Sequence, residues 1–223
     1  MIGKYRPWSS VLFQRRAICY CSAKDRNLGD TFLKPRILVI GDSFVEGVGA
    51  TDKIGWAQSM ENSSNQVAEL VVSGIGGDTI VKILDRHIEF FEMSFEKVVL
   101  AVGLNDSRYR PSKNANEVPR QSFIDGIRQF VELWQSKGAK VYLIGLTRVD
   151  EDRTDPYKED KIYRNALVED YDECLVEVAV STQATYVAVS KLNDLKEGLC
   201  DGLHPSDLGH QKLLSCIEGA ILS

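Results

Sequence analysis

Arg36-Ile37-Leu38-Val39-Ile40-Gly41-Asp42-Ser43 is the stretch from which the fold can be read. An apolar, β-rich run ends abruptly in a glycine, an acid and a serine. Buried parallel strands carry such near-continuous apolar runs, and open α/β sheets bind their ligands at the carboxyl ends of those strands. Ser43 is therefore expected at the mouth of a sheet, either as a helix cap or as a nucleophile. Which of the two it is depends on whether the rest of the chain supplies a base and an oxyanion site.

Four further β-type runs lie downstream: Val67 to Val72, Lys97 to Val102, Lys140 to Leu146 and Thr185 to Val189. Between them the apolar residues recur at helical spacing. Ile80, Ile83, Leu84, His87, Ile88 and Phe91 share one face, as do Phe123, Ile127, Phe130 and Val131 with Trp134. A last helix is expected from about Ser206 to Ile221, burying Leu213, Leu214, Ile217 and Ile221. Strands alternating with helices predict an α/β fold. It would be a three-layer α/β/α sandwich around a five-stranded parallel sheet with right-handed crossovers. No repeat or linker interrupts residues 35–223, so these are expected to form one domain behind a basic extension, residues 1–34.

The chain has 223 residues, 43% of them hydrophobic, enough for one large core. Its formal net charge of −5 does not favour nucleic acid or an anionic membrane surface as a main partner. No apolar run approaches the ~20 residues of a membrane-spanning helix. The five cysteines are odd in number and irregularly spaced. A disulfide framework is therefore not expected, and a reducing, cytoplasmic setting is. Cys19-Tyr20-Cys21 has no nearby histidine and no second cysteine pair at zinc-like spacing, so no metal site is expected. Up to Lys24 the chain carries Lys4, Arg6, Arg15, Arg16 and Lys24 without an acid. That composition fits an organelle-targeting segment or a plain basic extension. Two long loops, Ser107 to Pro119 and Arg148 to Tyr163, follow strand ends on the side of Ser43. They read as binding loops, or as solvated excursions.

The glycines after the first strand do not make a nucleotide site. Their spacing matches neither Gly-x-Gly-x-x-Gly nor Gly-x-x-x-x-Gly-Lys-Ser/Thr, and Asp42 would repel a phosphate. For a base there are only three histidines. His87 and His210 lie on the apolar faces of their helices. His204 sits in Asp201-Gly202-Leu203-His204-Pro205, where a tight turn can fold the Asp201 carboxylate onto the imidazole. A base oriented by a carboxylate is what nucleophilic serine catalysis needs; a helix cap beside an incidental histidine is the plainer reading. Oxyanion donors are available at the same sheet edge. They are the Ser43 N–H at a helix start, the glycine block Ser73-Gly74-Ile75-Gly76-Gly77-Asp78, and the Asn105 amide in Gly103-Leu104-Asn105-Asp106.

In this order the four blocks resemble those of the SGNH hydrolases, the GDSL esterase/lipase family, over about Pro35 to Ser223. The resemblance implies a flavodoxin-like fold, with Ser43 as nucleophile, His204 as base and Asp201 as its orienter. It also implies an oxyanion hole of Ser43, Gly77 and Asn105, with Gly76 as the other candidate for the glycine. Phe44 stands where the family's four-letter name has leucine. The compact domain is most similar to the short bacterial esterase/lysophospholipase branch. The implied activity is hydrolysis of carboxylic esters, on short-chain or lysophospholipid-like substrates, with no metal or organic cofactor. Deacetylation of carbohydrates on the same triad is the alternative, and a non-catalytic binding module is a third reading. Arg108 and Tyr109 are substrate-loop candidates facing a sugar, a phosphate head group or solvent. A small-molecule ester is the expected partner.

Overall fold

The strands are β1 (Arg36–Gly41), β2 (Glu69–Gly74), β3 (Lys97–Ala101), β4 (Tyr109–Arg110), β5 (Ala115–Asn116), β6 (Lys140–Ile144) and β7 (Thr185–Val187). In this computed structural model, which describes residues 34–189 and 197–223, five of them form a parallel sheet in the order β2-β1-β3-β6-β7. β1 is buried from Ile37 to Ile40, as its uninterrupted apolar run requires. β4 and β5 form a separate antiparallel ladder.

The helices are α1 (Ser43–Glu46), α2 (Trp56–Ser64), α3 (Ile80–Arg86), α4 (Leu104–Ser107), α5 (Arg120–Ser136), α6 (Glu151–Thr154), α7 (Asn165–Thr182) and α8 (Asp207–Leu222). The crossover from β1 to β2 runs one way along the sheet and the later ones run the other way. At the usual right hand this places α2 on one face and α3, α5 and α7 on the other. α8 packs beside α2, and α5 packs between α3 and α7. The reversal of direction between β1 and β3 is a topological switch point. The crevice outside the carboxyl ends of these two strands is where such sheets bind ligands, and Ser43 follows β1 there.

The expected α/β/α architecture is present, with differences at element ends. β2 begins at Glu69, because Val67 lies 60% exposed in the turn after α2. β6 ends at Ile144. The helix expected from Ile80 to Phe91 stops at Arg86 and tightens into a 3₁₀ turn over His87–Phe90. The tighter period rotates Ile88 out to solvent while His87 stays buried. The 18-residue α7 buries Val168, Tyr171, Cys174, Leu175 and Val178, and it is the long helix that the periodicity reading does not single out. The Cys19-Tyr20-Cys21 pair and all of the basic extension before Lys34 lie outside the described residues. Among the described residues no helix is long and apolar enough to cross a membrane.

Candidate active site

The nucleophile position is built by close packing at the end of β1. A Cβ at Gly41 would overlap the Ala101 carbonyl of β3, so the strand needs glycine there. Asp42 caps α1: its Oδ1 accepts the Phe44 N–H at 3.0 Å. The helix-cap role considered for Ser43 therefore belongs to Asp42, and the Ser43 hydroxyl is left for other work. As the first residue of α1, Ser43 has an N–H with no intrahelical acceptor.

That hydroxyl lies 3.1 Å from His204 Nε2, although 161 residues separate the two in sequence. His204 Nδ1 is 2.8 Å from Asp201 Oδ2. The other carboxylate oxygen accepts the backbone N–H groups of Leu203 at 2.9 Å and His204 at 2.7 Å. This is the tight turn expected from the Asp-x-x-His spacing. Tyr157 completes the shell by donating its hydroxyl to Asp201 Oδ2 at 2.8 Å. Burial opposes ionisation of Asp201. The two backbone N–H groups, the imidazole and the tyrosine outweigh it and hold the carboxyl well below the usual range. An imidazole oriented in this way can accept a hydroxyl proton. The other histidines stand apart, as expected. His210 bridges the Trp56 N–H and the Val48 carbonyl at 3.2 and 3.1 Å, and His87 is buried among Phe91, Phe130 and Trp134.

The oxyanion candidates meet at the same edge. Gly77 has φ +82°, and a Cβ there would touch nothing within 4 Å, so its backbone faces open space. The Gly76 N–H is taken by Glu46 Oε2 at 2.7 Å. Between the two glycines, Gly77 is the one with an N–H free for a ligand. Asn105 is buried, and its Nδ2 donates to Asp42 Oδ2 at 3.0 Å and to the Asp78 carbonyl at 3.1 Å. Its Oδ1 accepts from Arg108 Nη1 at 3.1 Å and from the Tyr163 hydroxyl at 3.3 Å. The amide plane is thus fixed from both ends, and a bound oxyanion would share an Nδ2 hydrogen with Asp42 or Asp78. Burial pushes the Asp42 carboxyl up to about 7, against the pull of the Phe44 N–H and the Asn105 amide.

Ser43, Gly76, Gly77, Asn105, Arg108 and His204 all line one cleft of about 280 Å³. Arg108 is held by Glu117 at 2.9 Å as well as by Asn105, so it serves as a strut under the cleft more than as a free cation. Tyr109 is not brought to the lining. It sits in the β4–β5 ladder with its hydroxyl on Asn114 Oδ1 at 2.6 Å. Its place is taken by Tyr157, Lys158, Lys161 and Tyr163, from the charged loop between Arg148 and Tyr163. That loop is pinned to the first one by backbone pairing of Tyr109 with Ile162. It therefore belongs to the site, although its motif-free sequence names none of these residues. The length of the loop and its position after a strand end were the only signals. Among the described residues no cluster of three or more histidines, cysteines or acids is placed to hold a metal ion.

The profile of the GDSL-like lipase/acylhydrolase family matches residues 39–212. The chain is 27% identical over 208 positions to the isoamyl acetate-hydrolyzing esterase of Saccharomyces cerevisiae, covering 82% of this chain and 86% of that one. Among solved structures it is similar to the lipase/acylhydrolase from Enterococcus faecalis, with TM-score 0.68 at 19% identity over 84% of this chain and 95% of the other. It is also similar to an acetylxylan esterase from Geobacillus stearothermophilus, with TM-score 0.65 at 19% identity over 82% and 92%.

Proposed function

The chain belongs to the GDSL-like lipase/acylhydrolase family and is a carboxylic ester hydrolase, and we propose that it cleaves esters of short, acetyl-sized acids through an acyl-enzyme on Ser43. Ser43 Oγ attacks the ester carbonyl while His204 Nε2 takes its proton, and Asp201 stabilises the imidazolium that forms. The tetrahedral oxyanion is held by the Ser43 N–H, the Gly77 N–H and the Asn105 amide, each donor contributing about 3 kcal/mol. His204 returns the proton to the leaving alcohol. A water molecule, deprotonated by the same imidazole, then releases the acid.

The observation that carries this reading is the unbroken chain Ser43 Oγ–His204–Asp201 at 3.1 and 2.8 Å, facing an open cleft. The preference for short acyl groups rests on the shape of the surroundings. The apolar pocket nearby, lined by Phe44, Trp56, Leu104, Leu146 and Leu213, has only about 20 Å³, room for one water-sized sphere. A long acyl chain finds no deep slot there. The yeast relative is named for acetate-ester hydrolysis, which points the same way.

A series of p-nitrophenyl esters tests the proposal. Acetate and butyrate should be turned over fastest, and Ser43→Ala should lose on the order of 10⁶-fold in kcat while remaining folded. Preference for acyl chains of eight carbons or more, or retained turnover in Ser43→Ala, would overturn it. The many polar groups in the cleft also favour a second reading, removal of acetyl groups from carbohydrates. Higher kcat/KM on acetylated sugars than on simple alkyl acetates would select it.

A further inference from the structure

Among the described residues, the cleft beside Ser43 and His204 is lined by three cations, Arg108, Lys158 and Lys161, and by no carboxylate. The acids close to it are already matched. Glu117 is shared by Arg108, Arg110 and Lys113. Asp160 is held by Arg110 and Ser112. Glu46 is paired with Lys53, and Asp201 with His204. Lys158 and Lys161 make no ion pair with any described residue, the exposed Glu159 between them included.

The backbone of both lysines is also held in place. They close a two-stranded turn, with the Lys161 N–H on the Lys158 carbonyl at 2.9 Å and the Tyr157 N–H on the Lys161 carbonyl at 2.9 Å. The next residue, Ile162, is bonded through its backbone to Tyr109. Tyr157, at the start of the turn, carries the Lys158 ammonium 5.2 Å from its ring centre while its hydroxyl holds Asp201. The turn therefore places exposed Lys158 and half-buried Lys161, neither ion-paired to a described residue, on the lining of the cavity that the nucleophile faces. Half-buried Lys161 has its ammonium pushed below its usual range, first by burial and then by Arg108, Lys158 and Arg110, against the pull of Glu117. Lys158 and Lys161 themselves have no carboxylate partner among the described residues, and an anion in the cleft supplies that counter-charge.

We propose that Lys158 and Lys161 form a cationic subsite that binds an anionic group, carboxylate or phosphate, carried by the ester substrate. This rests on the reading that Ser43 cleaves esters in this cleft, and it specifies which esters are preferred. The positive field also steers such substrates to the site, so their kcat/KM falls as ionic strength rises.

The test compares para-acetoxybenzoate and para-acetoxyphenyl phosphate with neutral para-acetoxybenzamide, all releasing a phenol from an acetyl ester. In the Lys158→Gln/Lys161→Gln double variant, the anionic-to-neutral ratio of kcat/KM should fall about tenfold, as expected for two partly exposed charge contacts. It should fall mainly through KM, and it should recover in Lys158→Arg/Lys161→Arg. The wild-type ratio should shrink as salt is added, and a larger loss for the phosphate than for the carboxylate would mark a phosphoryl group as the better ligand. An unchanged ratio in the glutamine variant, or a wild-type ratio insensitive to salt, would overturn the subsite. Failure of the ester reading itself would look different, with no turnover of para-acetoxybenzamide and no labelling of Ser43 by a fluorophosphonate.

Discussion

Tyr157 and His204 share one acceptor, Asp201 Oδ2, at 2.8 Å each. Burial and the neighbouring carboxylate push the Tyr157 phenol up, so it stays protonated and remains a donor at neutral pH. Its hydroxyl orients the carboxylate while its ring lines the cleft. Tyr157→Phe should therefore lower kcat about threefold to tenfold with little change in KM and an unchanged unfolding midpoint. A loss comparable to that of Asp201→Ala would instead place the hydroxyl in the chemistry. At the same scale, Asn105→Ala should lower kcat about 100-fold through loss of an oxyanion donor. A change confined to KM would remove Asn105 from the transition state. The serine, histidine and aspartate were legible as residues because short-range spacing, Gly-Asp-Ser and Asp-x-x-His, carries their local geometry. Tyr157 was not, because nothing local in the sequence signals which loop tyrosine reaches a carboxylate 44 positions away.

At the scale of elements, two of the strand ends that carry the site are tied together by one side chain from the end of α3. Arg86 donates Nε to Asp78 Oδ2 at 2.7 Å, Nη1 to Ser73 Oγ at 2.6 Å and Nη2 to the Gly41 carbonyl at 2.8 Å. It thus links β1, β2 and the glycine block on either side of the nucleophile. The pair with Asp78 is largely shielded from water. Breaking such a pair by removing one partner costs about 3–5 kcal/mol, because the other charge is left buried. Arg86→Met should lose stability of that order in urea unfolding, with kcat falling as the glycine block loosens. A loss under ~1 kcal/mol would show the clamp to be dispensable. The helix that presents Arg86 was read from its apolar face, but its end was not. The i, i+3, i+4 pattern runs on through His87 and Ile88, while the backbone tightens at His87 and buries only one of them.

For the whole molecule, charge burial sets the pH dependence of stability. Asp42 is pushed up to about 7 and Asp106 to about 8, in both cases first by burial. The native state therefore holds protons that the unfolded chain releases above its ordinary carboxylate pKa of about 4, and stability falls as pH rises from about 4 towards 8. The opposite sign applies to Glu117, lowered to about 2 by Lys113, Arg108 and Arg110 against the effect of burial. Its contribution is present above the unfolded value of about 4.3 and is lost as pH falls towards 2. The unfolding temperature should accordingly peak near pH 5. Asp106→Asn keeps an oxygen for the Ile80 N–H, which Asp106 Oδ1 now accepts at 2.8 Å. It should flatten the alkaline side of the profile, and an unchanged slope above pH 5 would show that Asp106 is not the group responsible. By itself the sequence determined the α/β class, the strand at Arg36 to Gly41, and the order of the blocks bearing Ser43, Gly77, Asn105, Asp201 and His204. All of these depend on periodicity or on spacings of a few residues. Only the tertiary structure decided that Asp42 caps the helix, that Gly76 is occupied by Glu46, that Tyr109 turns away, and that Tyr157, Lys158 and Lys161 enter the cleft. Each of those outcomes depends on which distant groups the sheet order and the pinned loops bring within hydrogen-bonding reach, and no local pattern encodes that.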